Sequence, residues 1–170
     1  MLQPLVRRTW APRGQTPIHW SWDRYDRLSV VAALCLSPVR QRSRLLFHVQ
    51  DHNLTANDLA MFLRRLHVCI HRPLILICDR WQVHRSAVAR LQRERRSWLD
   101  VRWLPPYAPD LNPVEALWKS IKHDQLGNFL PDDLADLDST VRQQLYNHRN
   151  DYSTLRSCFR VAQLSLNREH

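Results

Sequence analysis

Two carboxylates stand out by their surroundings. Asp79 ends an apolar run, Pro73 to Asp79 (PLILICD). In open α/β sheets, sites form in the crevice beyond the carboxyl ends of strands, and a carboxylate there faces it. Position alone is equally consistent with a polar strand terminus, or with an Asx turn leading into Arg80 and Trp81. Glu115 follows 36 positions later, in Asn112-Pro113-Val114-Glu115. Asn112 can cap a helix and Pro113 fits its first position. Glu115 then falls where a capping-box glutamate belongs, and it can also pair with Lys119 one turn on. Against these two structural explanations stands a chemical one: a helix start beside a strand end can aim a carboxylate at a metal ion.

Cations surround this pair. The formal net charge is +9, and of the 25 cationic residues only Lys119 and Lys122 are lysines. Arginine's planar fork suits phosphate oxygens. GC-rich codon usage explains arginine in place of lysine, but not the excess of positive charge, so a nucleic-acid partner is expected. Arg80, Arg85, Arg90, Arg93, Arg95 and Arg96 form a basic stretch beside Asp79. A solvated helix face accounts for any single one of them. The four cysteines form no C-x-x-C pair, so zinc and redox motifs are unsupported and reduced, mostly buried thiols are expected. Apolar runs fall short of the roughly 20 residues a membrane helix needs. Met1 to Gly14 lacks an apolar signal region and carries Arg7, Arg8 and Arg13. A cytoplasmic protein is therefore expected.

The elements that must position these residues follow from periodicity. Leu2 to Pro17 reads as a loop or loose hairpin. Leu28 to Leu36 and Arg44 to Gln50 read as an antiparallel pair of strands across a short polar link. Thr55 to His71 reads as a helix, with Thr55 and Asp58 as a capping box and Leu59, Phe62, Leu63, Leu66 and Ile70 at helical spacing. Pro73 to Asp79 has the pattern of a strand buried on both faces. A basic helix is expected over Ser86 to Arg96, a short strand over Val101 to Leu104, a rigid loop to Asn112, and a helix over Pro113 to His123. Two helices close the chain within 132–166. In the first, Arg142 and Arg149 lie late, as the macrodipole prefers. The order is that of a mixed α/β layered domain, and 170 residues suit one domain rather than two.

Taken together, CDRWQVHRS and, further on, LPPYAPDLNPVEALWKSIK resemble the second and third acidic motifs of mariner-type DDE transposases, the kind carried by bacterial insertion sequences. The P-x-L-N-P-x-E-x-x-W string is specific, because Pro, Asn, Pro, Glu and Trp must all fall in place. RRTWAPRGQTP resembles the segment after the family's first strand. The likeness runs from about Leu5 to Phe129 and weakens beyond. It implies an RNase H-like fold, and it implies that Asp79 and Glu115 are catalytic carboxylates holding Mg²⁺ or Mn²⁺. Two ions about 3.5–4 Å apart stabilise the attacking and leaving oxygens of an in-line displacement. DNA is the implied partner. His84 fits the family's D-x-x-x-x-H pattern and is expected to support the Asp79 loop or touch phosphate. Trp118 is expected to pack its helix against the sheet.

In one respect the chain departs from the family. Only Met1 to Val6 precede the RRTWAPRGQTP segment, and none of them is acidic. Asp23, Asp26 and Asp51 do not match the first acidic motif. The resemblance therefore implies a domain incomplete at its N-terminus, lacking the first central strand, the first aspartate and the helix-turn-helix region. Such a chain is expected to be inactive alone. It would be completed by an upstream reading-frame product or by full-length transposase, or it could form a homo-oligomer. The competing expectation is a non-catalytic DNA-binding remnant. Another RNase H-like nuclease is disfavoured by Pro109-Asp110-Leu111-Asn112-Pro113.

Overall fold

A computed structural model describes residues 12–14, 28–94, 97–127, 129 and 131–164. Arg95, Arg96, Asp23, Asp26, Leu166 and most of the RRTWAPRGQTP segment lie outside the described residues, as does nearly all of the loop expected over Leu2 to Pro17. Strand β1 (Ser29–Leu36) pairs antiparallel with β2 (Ser43–Gln50), in register from Ser29 opposite Gln50 to Leu36 opposite Ser43. The tight link between them is tied by the Arg40 N–H to the Ser37 carbonyl (2.8 Å) and the Ser37 N–H to the Arg42 carbonyl (2.9 Å). Helix α1 (Ala56–Ile70) begins at the expected capping box. The Thr55 side chain accepts from the Asp58 N–H at 3.3 Å, and the Asp58 carboxylate accepts from the Thr55 N–H at 2.9 Å.

A second, parallel pair follows. β3 (Leu74–Cys78) runs through α2 (Gln82–Arg93) into β4 (Leu99–Trp103), with Leu74 opposite Leu99 and Cys78 opposite Trp103. A 3₁₀ turn (Pro109–Leu111) leads to α3 (Pro113–Lys119), then a π-helical turn (Ser120–Gln125), α4 (Leu134–Asn150) and α5 (Tyr152–Val161). The helix expected over Pro113 to His123 is thus α-helical only in its first half. The architecture is the mixed α/β layering expected. Its strands nevertheless form two separate two-stranded sheets among the described residues, with no described strand joining β1 to β3.

Period-two alternation decides what each strand covers. Val31 of β1 turns toward α1 and α2, packing with Leu59, Leu63, Leu66, Ala87 and Leu91. Val30, Ala32 and Leu34 turn the other way, onto a core with Leu45, Val49, Leu117, Val141, Leu145 and Leu155. That second core is built by α3, α4 and α5, and Trp118 packs against it as the motif implied. Arg142 is not the helix-end cation its position suggested: its side chain pairs with Asp138 at 2.6 Å and donates to the Val49 carbonyl at 3.2 Å. On β3, Leu74 and Leu76 join the α1–α2 core. Ile75 and Ile77 face outward and stay 70% and 57% exposed. The expectation that β3 is buried on both faces is therefore wrong for the described residues: a helical layer covers one face, and none covers the other.

The cysteines are free thiols. Burial raises Cys35 to about 11. Cys158 is buried, Cys35 and Cys78 are half-buried and Cys69 is exposed. No helix among the described residues is long and apolar enough to cross a membrane.

Candidate active site

Asp79 follows the last residue of β3. The ladder continues past it, because the Leu104 N–H donates to the Cys78 carbonyl at 2.9 Å. This bond holds the start of the Pro105–Asn112 loop against the end of β3. Arg80 adds a second tie, its Nε donating to the Leu104 carbonyl at 3.4 Å. The Asp79 side chain folds back on its own chain. Its Oδ1 accepts the Trp81 N–H at 2.9 Å and lies 2.5 Å from His84 Nδ1. Since a carboxylate accepts, Nδ1 carries the proton of that bond. The turn suggested as a structural role for Asp79 is therefore real, and it leaves Oδ2 available.

That turn also explains a shift in α2. The helix begins at Gln82, not Ser86. His84 is thereby in the first helical turn, where its ring reaches back to Asp79. Trp81 braces the ring from another side, edge to face at 5.4 Å between centroids. One turn of helix thus fixes the orientation of the carboxylate, as outer-shell partners do for metal ligands.

Neither structural explanation for Glu115 holds. Asn112 does cap α3, its side chain accepting from the Val114 N–H at 3.3 Å. The reciprocal half of a capping box is pre-empted, because the Asn112 N–H donates to the Pro109 carbonyl at 2.9 Å. Among the described residues the exposed Glu115 carboxylate makes no hydrogen bond and no ion pair, with Lys119 or any other group.

One open cleft of about 400 Å³ brings these groups together. Asp79, Arg80 and Trp81 form one wall, Leu104 to Pro109 another, and Asn112 with Glu115 the third. Among the described residues of the predicted basic stretch, only Arg80 lines it. Arg85, Arg90 and Arg93 are exposed on α2, opposite the face that carries Ala87, Val88 and Leu91. His84 acts on the cleft through Asp79. Trp81 and Tyr107 belong to the cleft and were missed in the sequence; the aromatic inside the proline cluster PPYAP was the available signal. Cys78 also adjoins the site. Burial, and then the Asp79 charge, push its thiol up to about 11, so it is no thiolate nucleophile at neutral pH.

The donor set fits a hard divalent cation. Carboxylate oxygens are its preferred ligands, and Mg²⁺ keeps several waters, so few protein ligands suffice. Asp79 offers Oδ2 and Glu115 an unpartnered carboxylate. Among the described residues no third acid, histidine or cysteine completes a metal-binding cluster with them.

Comparison with known proteins bears on the family and the fold. Residues 1–138 match the family model described as DDE superfamily endonuclease. That span takes in both acidic motifs and extends beyond the limits of the resemblance read from the sequence. Among curated proteins no sequence relative matches. A solved structure, "Crystal structure of the Mos1 Strand Transfer Complex", superposes with a TM-score of 0.59 at 14% identity, over 95% of this chain and 48% of that one. The chain thus spans about half the length of that structural relative and shares its RNase H-like fold. With more than half of its residues inside the family model, the chain belongs to the DDE superfamily endonucleases.

Proposed function

We propose that the chain is the catalytic portion of a transposase of the kind carried by bacterial insertion sequences, and that it acts in metal-dependent DNA strand cleavage and transfer. The observation that carries this reading is the convergence of Asp79 and Glu115 on one open cleft, Glu115 having no structural partner among the described residues. Bound Mg²⁺ or Mn²⁺ would supply charge stabilisation to the attacking and leaving oxygens of a phosphodiester. Asp79 and Glu115 would hold it. His84 holds Asp79 in one orientation. Arg80 meets a phosphate at the rim, and Arg85, Arg90 and Arg93 provide sequence-independent attraction for the backbone along α2. The same cleft then accepts a freed 3′-hydroxyl for joining.

Among the described residues two carboxylates line the cleft, which suits one ion, and a two-ion site would need a further acid. The 170-residue chain by itself is therefore proposed to bind duplex DNA weakly and not to nick it. A strand ending in Asp-Glu, set between β1 and β3, which no described strand joins, would supply a further acid. The test is nicking of supercoiled plasmid in Mg²⁺ or Mn²⁺, by the chain alone and with that strand fused ahead of it. Nicking by the fusion, lost in both Asp79→Ala and Glu115→Ala while DNA binding persists, supports the reading. Nicking that survives both substitutions removes Asp79 and Glu115 from the site. A fusion that binds DNA without ever nicking it favours a non-catalytic DNA-binding protein, which the exposed arginines alone would support.

A further inference from the structure

Tyr107 is the anomaly of the cleft. Its side chain is completely exposed, at 104% of the reference, and its backbone sits at φ 56°. Bulky residues rarely adopt the left-handed region, and where they do the surroundings must hold them there. Here they are held by Pro105, Pro106 and Pro109, whose rings fix the backbone on both sides. An aromatic ring free to move would settle on apolar neighbours such as Leu104. Instead the loop carries it outward over the cleft that holds Asp79 and Glu115. A second ring lines the same cleft: Trp81 is 51% exposed and rests edge to face on His84. Two exposed aromatic rings therefore line the cleft with the two carboxylates and the Arg80 guanidinium, Trp81 braced by His84 and Tyr107 carried on a proline-stiffened backbone.

We propose that Tyr107 and Trp81 form a stacking platform for an unpaired base next to the phosphate bound between Asp79 and Glu115. Exposed aromatics beside a cationic groove stack bases without regard to sequence, since every base has a π-face. A base inside a duplex has both faces occupied by its neighbours. The ligand class is thus a nucleotide already unpaired, at a frayed or tailed DNA end. This inference rests on the DNA-processing reading above and adds which part of the DNA the cleft holds.

The test compares a blunt duplex with the same duplex bearing a three-nucleotide single-stranded tail, its first unpaired base replaced by 2-aminopurine. The full chain is titrated in Ca²⁺, with affinity read by anisotropy and stacking by 2-aminopurine quenching. The tailed duplex is expected to bind about tenfold tighter than the blunt one, with quenching. Tyr107→Phe keeps both effects. Tyr107→Gly and Trp81→Ala lose both, with the salt dependence of binding unchanged because no phosphate contact is removed. Glycine accepts φ 56° without a Cβ clash, so Tyr107→Gly should unfold at an equal or higher temperature, which separates loss of stacking from loss of fold. Equal affinity for tailed and blunt DNA, or quenching that survives Tyr107→Gly, overturns the platform and leaves the DNA-binding reading standing. No binding to either duplex at low salt overturns both.

Discussion

Among the described residues, the antiparallel half of the molecule is enclosed on both faces, whereas the parallel half is enclosed on one. β1 and β2 lie between α1 on one side and α3, α4 and α5 on the other, so alternate residues of each strand enter different cores. β3 and β4 send Leu74, Leu76 and Leu99 into the α1–α2 core and leave Ile75, Ile77, Asp100 and Arg102 on the outside. The cleft is built on the less enclosed half. Asp79 extends β3, and the loop facing it extends β4. The comparison separates two tasks: the antiparallel half supplies most of the buried apolar volume, while the parallel half carries the cleft lined by Asp79 and Glu115 at its carboxyl end. Helix α1 touches both and couples them.

The largest expected effects come from breaking the enclosed half. Leu45 and Leu145 have no exposed surface. Truncating either to alanine should cost about 2–5 kcal/mol, from lost burial and the cavity left behind. Ile75→Thr and Ile77→Thr keep β-branched side chains in a strand and should stay within about 0.5 kcal/mol. Urea denaturation midpoints check this. A cost for Ile75→Thr as large as that for Leu45→Ala would mean that the outer face of β3 is covered in solution.

Thr55→Ala tests the coupling. Losing the capping side chain of α1 should cost about 1 kcal/mol. Hydrogen exchange should quicken in both β1 and β3, since α1 packs on both; a change confined to β1 would uncouple the halves.

Acid should act on the antiparallel half through α5. Hydrogen bonds from the Thr154 hydroxyl and N–H, and from Ser153, lower Asp151 from its ordinary 3.8 to about 2. A depressed carboxyl contributes stability that is fully present above its unfolded value and is lost as pH falls through the folded one. Melting temperature should therefore drop between about pH 4 and pH 2. Asp151→Asn, which can still cap α5, should make that drop shallower. It should not abolish it, because Asp51 and Asp58 are lowered as well, Asp51 mainly by His52 and Asp58 mainly by Thr55. An unchanged pH profile in Asp151→Asn would remove Asp151 from the acid response.

The smallest effect tests the basic face of the parallel half. Arg85→Ala, Arg90→Ala and Arg93→Ala should each lower the slope of log affinity against log salt by about one phosphate's worth, without altering sequence preference. Variants that leave the slope unchanged would restore the reading of α2 as a solvated face.

What the sequence revealed follows the same division. β1, β2 and α1 were legible to within a residue or two, because their apolar periodicity and the Thr55–Asp58 box reflect local geometry. So was the presence of Asp79 and Glu115 on one cleft, carried by a motif in which several residue types must coincide. The exposure of Ile75 and Ile77 was not legible, since a continuous apolar run reads the same whether one face is covered or two. The early start of α2 was hidden too. It depends on the Asp79 side chain holding the Trp81 N–H, a bond that spacing alone does not distinguish from a plain strand end. Tyr107 read as part of a rigid loop; only its backbone angle and its complete exposure set it apart.

The central claim is that Asp79 and Glu115 serve one divalent ion. Fe²⁺, supplied to the full chain with ascorbate and peroxide, cleaves backbone close to the bound ion and so reports both walls of the cleft at once. The account predicts two cuts, one around Asp79 to Trp81 and one around Asn112 to Glu115, suppressed by excess Mg²⁺. Asp79→Asn and Glu115→Gln should each abolish both cuts, because one ion produces them. A single cut, or a cut at one segment that survives loss of the carboxylate on the other, would contradict it.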